Sequence, residues 1–506
     1  MPRHGVIRAL SPQALRSSAG ARAALALLAG AALVTAFAPL EWTLVGLAAL
    51  ALLIELWVAA ASPRSAFWSG FWFGLGLFGA GVSWVYVSLH RYGAMPLPLA
   101  ALATLGLCAG LAIFPAAVGW LQARWRVPQA VRAALLIPAL WTFAEWIRGW
   151  LFTGFPWLSA GYAAIDTPLA GLAPLGGVYA VSLGALACAG LLWCIVRNRA
   201  RWAALAVLML LLVGGTALRT LSWSSPAGTL WVSLLQGDIP QDLKFDPARY
   251  AHTLETYAQL AQGSRGKLIV LPETAVPRFL DRVDPAYLAR LEAIARQRGG
   301  DLLLGVPYRP APGVYYNSVV SLGTSPTQVY NKVHLVPFGE FVPPGFGWIV
   351  HVLSIPLSDF SSGSPEQRPL RVAGTRVALD ICYEDAFGEQ IARQLPEATL
   401  LVNVSNDAWF GDSLAPAQHL QMGRMRALET GRMLLSATNT GLTAAVAPDG
   451  RVLGSLPLFV TGRLEINALL YSGATPYVRI GDLGVLIAIA LLLGTVLVLA
   501  RRSRSG

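Results

Sequence analysis

Three residue types in this chain could together attack a carbonyl carbon: a glutamate, a lysine and a cysteine, each at the end of its own short apolar run. Leu268-Ile-Val-Leu-Pro-Glu273 ends on a carboxylate. Val329-Tyr-Asn-Lys332 delivers an ammonium, with Glu340 following after Val-Pro-Phe-Gly. Val377-Ala-Leu-Asp-Ile-Cys-Tyr-Glu-Asp385 climbs like a buried strand and breaks at Cys382. A glutamate within reach of a thiol can take its proton. A lysine beside the pair favours the thiolate and stabilises an oxyanion, while the sulfur attacks. Taken alone, each residue has a plainer reading: Cys382 as a small core residue, Glu273 as a strand-end surface acid, Lys332 as a salt-bridging lysine. Their occurrence together, in this order, weighs against the plain readings. Of the four cysteines, Cys108, Cys188 and Cys194 lie in long apolar segments, so Cys382 has no disulfide partner in its own region and no zinc-like Cys/His spacing around it. Lys332 is one of only three lysines in a chain that writes its other basic residues as arginine, which argues for a compact ammonium at that place.

The elements that must carry these residues lie between 228 and 470. Short β-rich runs are expected at 230–235, 268–271, 302–306, 318–322, 377–381 and 400–404, with helical spacing at 255–262, 286–298 and 418–432. Strands interleaved with helices predict a layered α/β domain.

The rest of the chain is of a different kind. Mean hydropathy is +0.55 and only 13% of the 506 residues are charged, too apolar for a soluble protein of this length. About eight spans are predicted, near 23–39, 42–60, 66–89, 96–121, 132–150, 171–196, 202–220 and 481–500. The expected organisation is a membrane domain over 1–222, the α/β domain over 228–470, and a last span with a basic tail over 478–506. Ala36-Phe37-Ala38 could pass for a signal-peptide cleavage site, but retention is expected.

The net charge of +11 comes from arginines at the ends of apolar segments, where they serve topology, so no nucleic-acid partner is expected. Alternate connections carry Arg3, Arg8, Arg16 and Arg22; Arg64; Arg124, Arg126 and Arg132; Arg197, Arg199 and Arg201; and Arg501, Arg502 and Arg504. The opposite short loops hold little beyond Arg91 and Arg148. The positive-inside rule then predicts cytoplasmic termini and, in a bacterium, a periplasmic α/β domain. Inside the spans, Glu145 and Arg148 share a helix face ahead of Gly154-Phe-Pro-Trp157, and Glu55 is expected against another helix or near an interface.

The Glu273–Lys332–Cys382 set resembles that of the nitrilase, or carbon–nitrogen hydrolase, superfamily, whose domains are αββα sandwiches. With membrane helices on both sides, the chain more closely resembles the bacterial apolipoprotein N-acyltransferases, over nearly its whole length. The matching motifs include Gln236-Gly-Asp-Ile-Pro240, Pro272-Glu273, Tyr316-Asn-Ser318, His334-Leu-Val-Pro-Phe-Gly-Glu-Phe-Val-Pro343, Ile381-Cys-Tyr-Glu384, Ser405-Asn-Asp-Ala-Trp-Phe-Gly411 and Met425-Arg-Ala-Leu-Glu429. The resemblance implies Cys382 as acylated nucleophile, Glu273 as general base and Lys332 as stabiliser of the tetrahedral intermediate, with Glu340, Tyr383 and Glu384 in support. Phe245 stands where the family pattern has tryptophan; it keeps an aromatic face and loses the indole N–H.

The implied reaction has two steps. A phospholipid, typically phosphatidylethanolamine at its sn-1 position, acylates Cys382. The thioester then passes its chain to the α-amino group of an S-diacylglyceryl apolipoprotein. No motif implies a cofactor or metal, and a monomer is expected. The apolar stretch 338–357 reads either as a membrane-facing arm over Cys382 or as an ordinary apolar loop packed on the domain. The alternatives are a membrane-tethered nitrilase-type amidohydrolase, which needs neither eight spans nor such an arm, and a transporter or lipid scaffold, disfavoured by the few charges within the spans.

Overall fold

The computed structural model describes residues 18–342 and 359–505. It forms two compact units. One runs to Ser83 and includes Pro98–Leu221 and the chain from Asp482 onward; the other comprises Trp84–Leu97 and Ser222–Gly481. The candidate arm at 338–357 falls largely on residues outside those described.

All eight apolar segments are helical, but they do not make eight regular spans. Five helices are long and apolar enough to cross a membrane among the described residues: Leu97–Ala123, Gln129–Arg148, Pro168–Val196, Arg201–Arg219 and Leu483–Arg502. Pro63–Gly81 with Trp84–Tyr92 makes a sixth only if the broken pair is taken as one. Ala19–Val34 and Thr43–Val58 have 16 residues each, about 24 Å at helical rise, against a hydrocarbon core of about 30 Å. The expected span 66–89 ends as a regular helix at Gly81, and Trp84–Tyr92 packs within the second unit. There the Trp84 and Phe410 rings lie 4.7 Å apart, and Ser88 Oγ donates to the Trp409 carbonyl at 2.8 Å.

Polar groups in the first unit are spent on tying helices together. Glu55 accepts from Trp193 Nε1 at 2.7 Å and Arg197 Nη2 at 2.8 Å, so it faces another helix, Ala173–Val196. Glu145 Oε1 accepts from Trp141 Nε1 and Ala160 N, both at 2.8 Å. Arg148 donates to the carbonyls of Phe155 and Trp157, each at 2.5 Å. The two side chains thus hold the Gly154–Ala160 loop after their helix.

Small residues set the closest helix approach. A Cβ added at Gly76, in Pro63–Gly81, would lie 2.0 Å from the Leu27 carbonyl oxygen on Ala19–Val34, the close backbone contact that packs apolar helices where hydrophobicity gives no drive.

Among the described residues the second unit contains twelve strands: β1 (Ser224–Gln236), β2 (Leu268–Val270), β3 (Asp301–Ala311), β4 (Val314–Gly323), β5 (Val329–Asn331), β6 (Leu370–Val372), β7 (Thr375–Ile381), β8 (Leu400–Ser405), β9 (Leu434–Thr438), β10 (Ala444–Val446), β11 (Val452–Ser455) and β12 (Gly462–Gly473). They form two six-stranded sheets, ordered β12-β1-β2-β3-β4-β5 and β11-β10-β9-β8-β7-β6. The centres are parallel, β1 with β2 and β3 in one sheet and β7 with β8 and β9 in the other, which is why these runs are largely apolar and buried on both faces.

Helices Pro247–Gln262 and Pro285–Gln297 cover the first sheet, packing Tyr257, Ala261, Leu291 and Ile294 on Leu235, Ile269 and Leu302. Each starts at an Asp-Pro pair: Asp246 accepts from Ala248 N and Asp284 from Ala286 N, with proline at the first helical position. On the second sheet, Ala427 of Ala415–Thr430 packs with Ile391, Leu401 and Leu434. The sheets are joined by backbone bonds from Asp238 N to Asn439 O (2.9 Å) and Tyr471 N to Thr399 O (3.0 Å). This is the layered α/β sandwich that the sequence predicts.

Replacing Gly76 by valine is expected to lower the thermal midpoint in detergent, at an overpacking cost of about 1–3 kcal/mol. The same change at Gly79, which has nothing within 4 Å, should leave it unmoved; equal effects at both sites would refute the helix contact.

Candidate active site

Lys332, directly after β5, is a buried ammonium between two carboxylates. Its Nζ lies 2.9 Å from Glu340 and 3.5 Å from Glu273 Oε1. Asn317 on β4 bridges the same pair, donating from Nδ2 to Glu273 Oε1 at 2.6 Å and to Glu340 Oε1 at 2.8 Å. The remaining carboxylate oxygens are satisfied by backbone: Asn406 N donates to Glu273 Oε2 at 2.9 Å, and Val336 N to Glu340 Oε2 at 2.8 Å. Glu273 leaves β2 over Gly305 of β3, where a Cβ would sit 2.1 Å from the Pro272 carbonyl oxygen. Only glycine lets the two backbones come so close.

Cys382 sits where β7 turns into the 3-10 segment Cys382–Ala386. Its φ of +55° lies in the left-handed region, at a cost on the order of 1–3 kcal/mol that the surroundings must offset. Part of the restraint comes from Glu384. Its Oε2 accepts from Ile381 N at 2.7 Å and Tyr330 Oη at 3.1 Å. Its Oε1 accepts from Val333 N (2.7 Å), His334 N (3.0 Å) and Gln390 Nε2 (2.6 Å). One carboxyl thereby joins the residues just after Lys332 to the residue just before Cys382. Tyr383 is buried beside an aromatic pair, 5.1 Å from the Phe387 ring and 5.8 Å from His334.

The electrostatics separate the roles these groups can play. Burial pushes the Cys382 thiol up to about 12; the Glu273 charge adds to this, while Lys332 and His419 oppose it. The resting sulfur is therefore a thiol that needs a base. Burial also works against the charge on Lys332, but Glu340 and Glu273 outweigh it and hold the amine above its ordinary range, so Lys332 stays a cation. Burial raises Glu384 too, against the backbone N–H of His334, the Lys332 charge and two further amides.

The structure brings the sequence-predicted Glu273, Lys332 and Glu340 into one cluster, of which Glu273 and Lys332 lie within the electrostatic reach of Cys382. Phe245 is partly buried on the turn next to Lys244. Lys244 itself is a residue that sequence reasoning overlooks. It is buried and donates to the Glu273 carbonyl at 3.2 Å, and burial lowers its amine to about 8, with Glu273 and Cys382 pulling the other way. The scarcity of lysine that singles out Lys332 applies equally to Lys244. Asn317, Asn406 and His419 are likewise missing from the sequence-predicted set, although Tyr316-Asn-Ser318 and Ser405-Asn-Asp407 stand among the matching motifs.

A two-sheet α/β sandwich with glutamate, lysine and cysteine gathered at its strand ends defines a carbon–nitrogen hydrolase-type domain. The family model described as carbon-nitrogen hydrolase matches residues 232–469, and that of the apolipoprotein N-acyltransferase N-terminal domain matches 29–191. The apolipoprotein N-acyltransferase of Nitrosomonas europaea is 50% identical over 478 residues, covering 92% of this chain and 94% of its own. That of Methylococcus capsulatus is 46% identical, covering 90% and 92%, and that of Ralstonia nicotianae 44%, covering 96% and 94%. The chain belongs to the apolipoprotein N-acyltransferase family, a multi-pass membrane member of the nitrilase superfamily.

Replacing Glu384 by glutamine would set an amide NH₂ among N–H donors. The expected result is a loss of stability of about 2–4 kcal/mol, read as a lower thermal midpoint together with faster proteolysis near residue 333. A glutamine variant as stable as the parent would show that the clamp does not hold the turn.

Proposed function

We propose that Cys382 is acylated by a membrane phospholipid, at the sn-1 chain of phosphatidylethanolamine, and passes the chain to the α-amino group of an S-diacylglyceryl apolipoprotein. The observation that carries this reading is a neutral, buried thiol on a left-handed strand-end turn, within the electrostatic reach of Glu273 and of a permanently charged Lys332.

In the first half-reaction Glu273 takes the Sγ proton as sulfur attacks the ester carbonyl. Lys332 stabilises the tetrahedral oxyanion. Collapse breaks the ester C–O bond, and the departing lysophospholipid oxygen takes the proton back from Glu273, leaving a thioester. In the second half-reaction the α-amine attacks the thioester, Glu273 accepts its proton, and that proton returns to sulfur as the C–S bond breaks. Glu340 orients Lys332 through the 2.9 Å pair; Glu384 and Tyr383 support the turn. Phe245 keeps an aromatic face without the N–H of a tryptophan.

The arginine distribution supports a bacterial inner-membrane protein with both termini cytoplasmic and the 228–470 domain on the periplasmic face. A monomer meets every chemical requirement of this cycle.

Intact-mass measurement after mixing the purified protein with phosphatidylethanolamine tests the reading. A fatty-acyl adduct on Cys382 is expected, discharged by a diacylglyceryl lipopeptide and stable to water. Cys382→Ala should give none, and Glu273→Gln should slow its formation by about 10²–10⁴ while the protein stays folded. Normal acylation in Glu273→Gln would remove that residue from the mechanism. Rapid discharge by water to free fatty acid would favour the amidohydrolase-like reading.

A further inference from the structure

His419, buried on the helix Ala415–Thr430, has an acceptor at each ring nitrogen. Nδ1 lies 3.0 Å from Asp407 Oδ1, an oxygen that also accepts from Ser405 Oγ at 2.8 Å. Nε2 lies 3.1 Å from the Cys382 carbonyl oxygen and 3.1 Å from Asp385 Oδ1. A carbonyl oxygen cannot donate, so Nε2 carries a hydrogen. Nδ1 faces an oxygen already accepting from a hydroxyl, which calls for a second hydrogen there. Only the imidazolium donates from both nitrogens.

We propose that His419 is a positioning residue: as an imidazolium between Asp385 and Asp407 it grips the Cys382 carbonyl, fixes the left-handed turn that mounts Sγ, and keeps a positive charge near the thiol. The proposal rests on the reading of Cys382 as nucleophile, and it assigns a device that serves it.

Three observations support it. The Cys382 backbone is held at φ +55°, a conformation that relaxes unless its polar groups are fixed. Its carbonyl has a second donor, Asn403 Nδ2 at 3.2 Å, whose other bond goes to Asp380 Oδ1 at 2.5 Å. Burial opposes a charge on His419, yet Asp385 and Asp407 outweigh it and hold the imidazole well above its ordinary range. The charged and titratable groups around the ring are Asp380 on β7, Cys382 and Asp385 on the turn after it, and Asp407 after β8. Arg426, on the ring's own helix, acts on Asp385. His419 and Lys332 both pull the thiol down.

His419→Gln separates the charge from the hydrogen bond, since the amide can still donate to the Cys382 carbonyl. The readout is the rate of Cys382 alkylation by iodoacetamide between roughly pH 7.5 and 9.5, with Cys382→Ala as the blank for the other thiols. The rate–pH profile should move up by about one unit, a tenfold slower reaction at fixed pH, and adduct formation from phosphatidylethanolamine should slow at least as much. A folded His419→Gln protein with an unmoved alkylation profile would overturn the proposal. Should that variant not fold, nitrogen-15 spectra of the parent decide: one of the six histidines should stay doubly protonated after the pH has risen past the point where an ordinary imidazole is neutral, and six neutral rings there would equally overturn it. Alkylation reads the thiol whatever its role. A parent protein that never forms an adduct would therefore defeat the proposed function while leaving the His419 assignment to stand or fall on its own.

Discussion

The buried ammonium of Lys332 is the constraint around which the α/β domain is arranged. A cation taken out of water is tolerated only where opposite charge and hydrogen bonds meet it, and removing one partner of such a group typically costs about 3–5 kcal/mol. Here Glu273 and Glu340 both face it, and Asn317 links the two carboxylates so that neither can turn away. The backbone amides of Val336 and Asn406 occupy the outer oxygens. All the carboxylate oxygens are committed, so the cluster has one geometry. That geometry presents Glu273 as the group with a backbone-fixed orientation and Lys332 as a fixed charge.

The same bonds make the two sheets interdependent. Glu273 and Lys332 leave the first sheet, at the ends of β2 and β5, while Cys382 and Asn406 leave the second, at the ends of β7 and β8. Asn406 N on Glu273 and the Glu384 clamp on Val333 and His334 are bonds from one sheet's loops to the other's. The site and the docked sheets thus share the same bonds. In the proposed cycle a loose interface would be read first in the distance from the Cys382 sulfur to Glu273, where small displacements cost most.

Much of this was legible in the sequence, and the reason is local. Val377–Ile381 and Leu268–Val270 are short, largely apolar and followed by polar residues, which is how a central parallel strand is written. The Asp-Pro pairs at 246–247 and 284–285 mark helix starts with the same economy of signal. The membrane segments are legible through composition, although two of them are 16-residue helices and one breaks after Gly81, because length and kinks depend on packing that a hydropathy pattern does not encode. Asn317 and His419 lay beyond reach for a different reason. Their meaning comes from partners far off in the chain, Asn317 from Glu340 and Glu273, His419 from Asp407 on one nitrogen and Cys382 on the other. Nothing in the local pattern of Gln418-His-Leu420 sets it apart from an ordinary core histidine.

The resting state of the thiol carries the last step. A sulfur held near 12 does not ionise in advance, so in the proposed cycle its proton must leave as the C–S bond forms. When that bond breaks, a free thiolate in the same buried place would be equally unfavourable, so a proton must return as sulfur departs. The proton available at that moment is the one just taken from the attacking amine. One carboxylate has to face both sulfur and the incoming nucleophile, and it must hold still between the two half-reactions while one bulky product leaves and a bulky acceptor enters. The bonds from Asn317 and Asn406 hold the Glu273 carboxyl, and that from Lys244 holds its backbone; none of them is made to substrate. Glu273 therefore keeps its place when the site is empty, which is what the proposed transfer through a covalent intermediate would demand of its base.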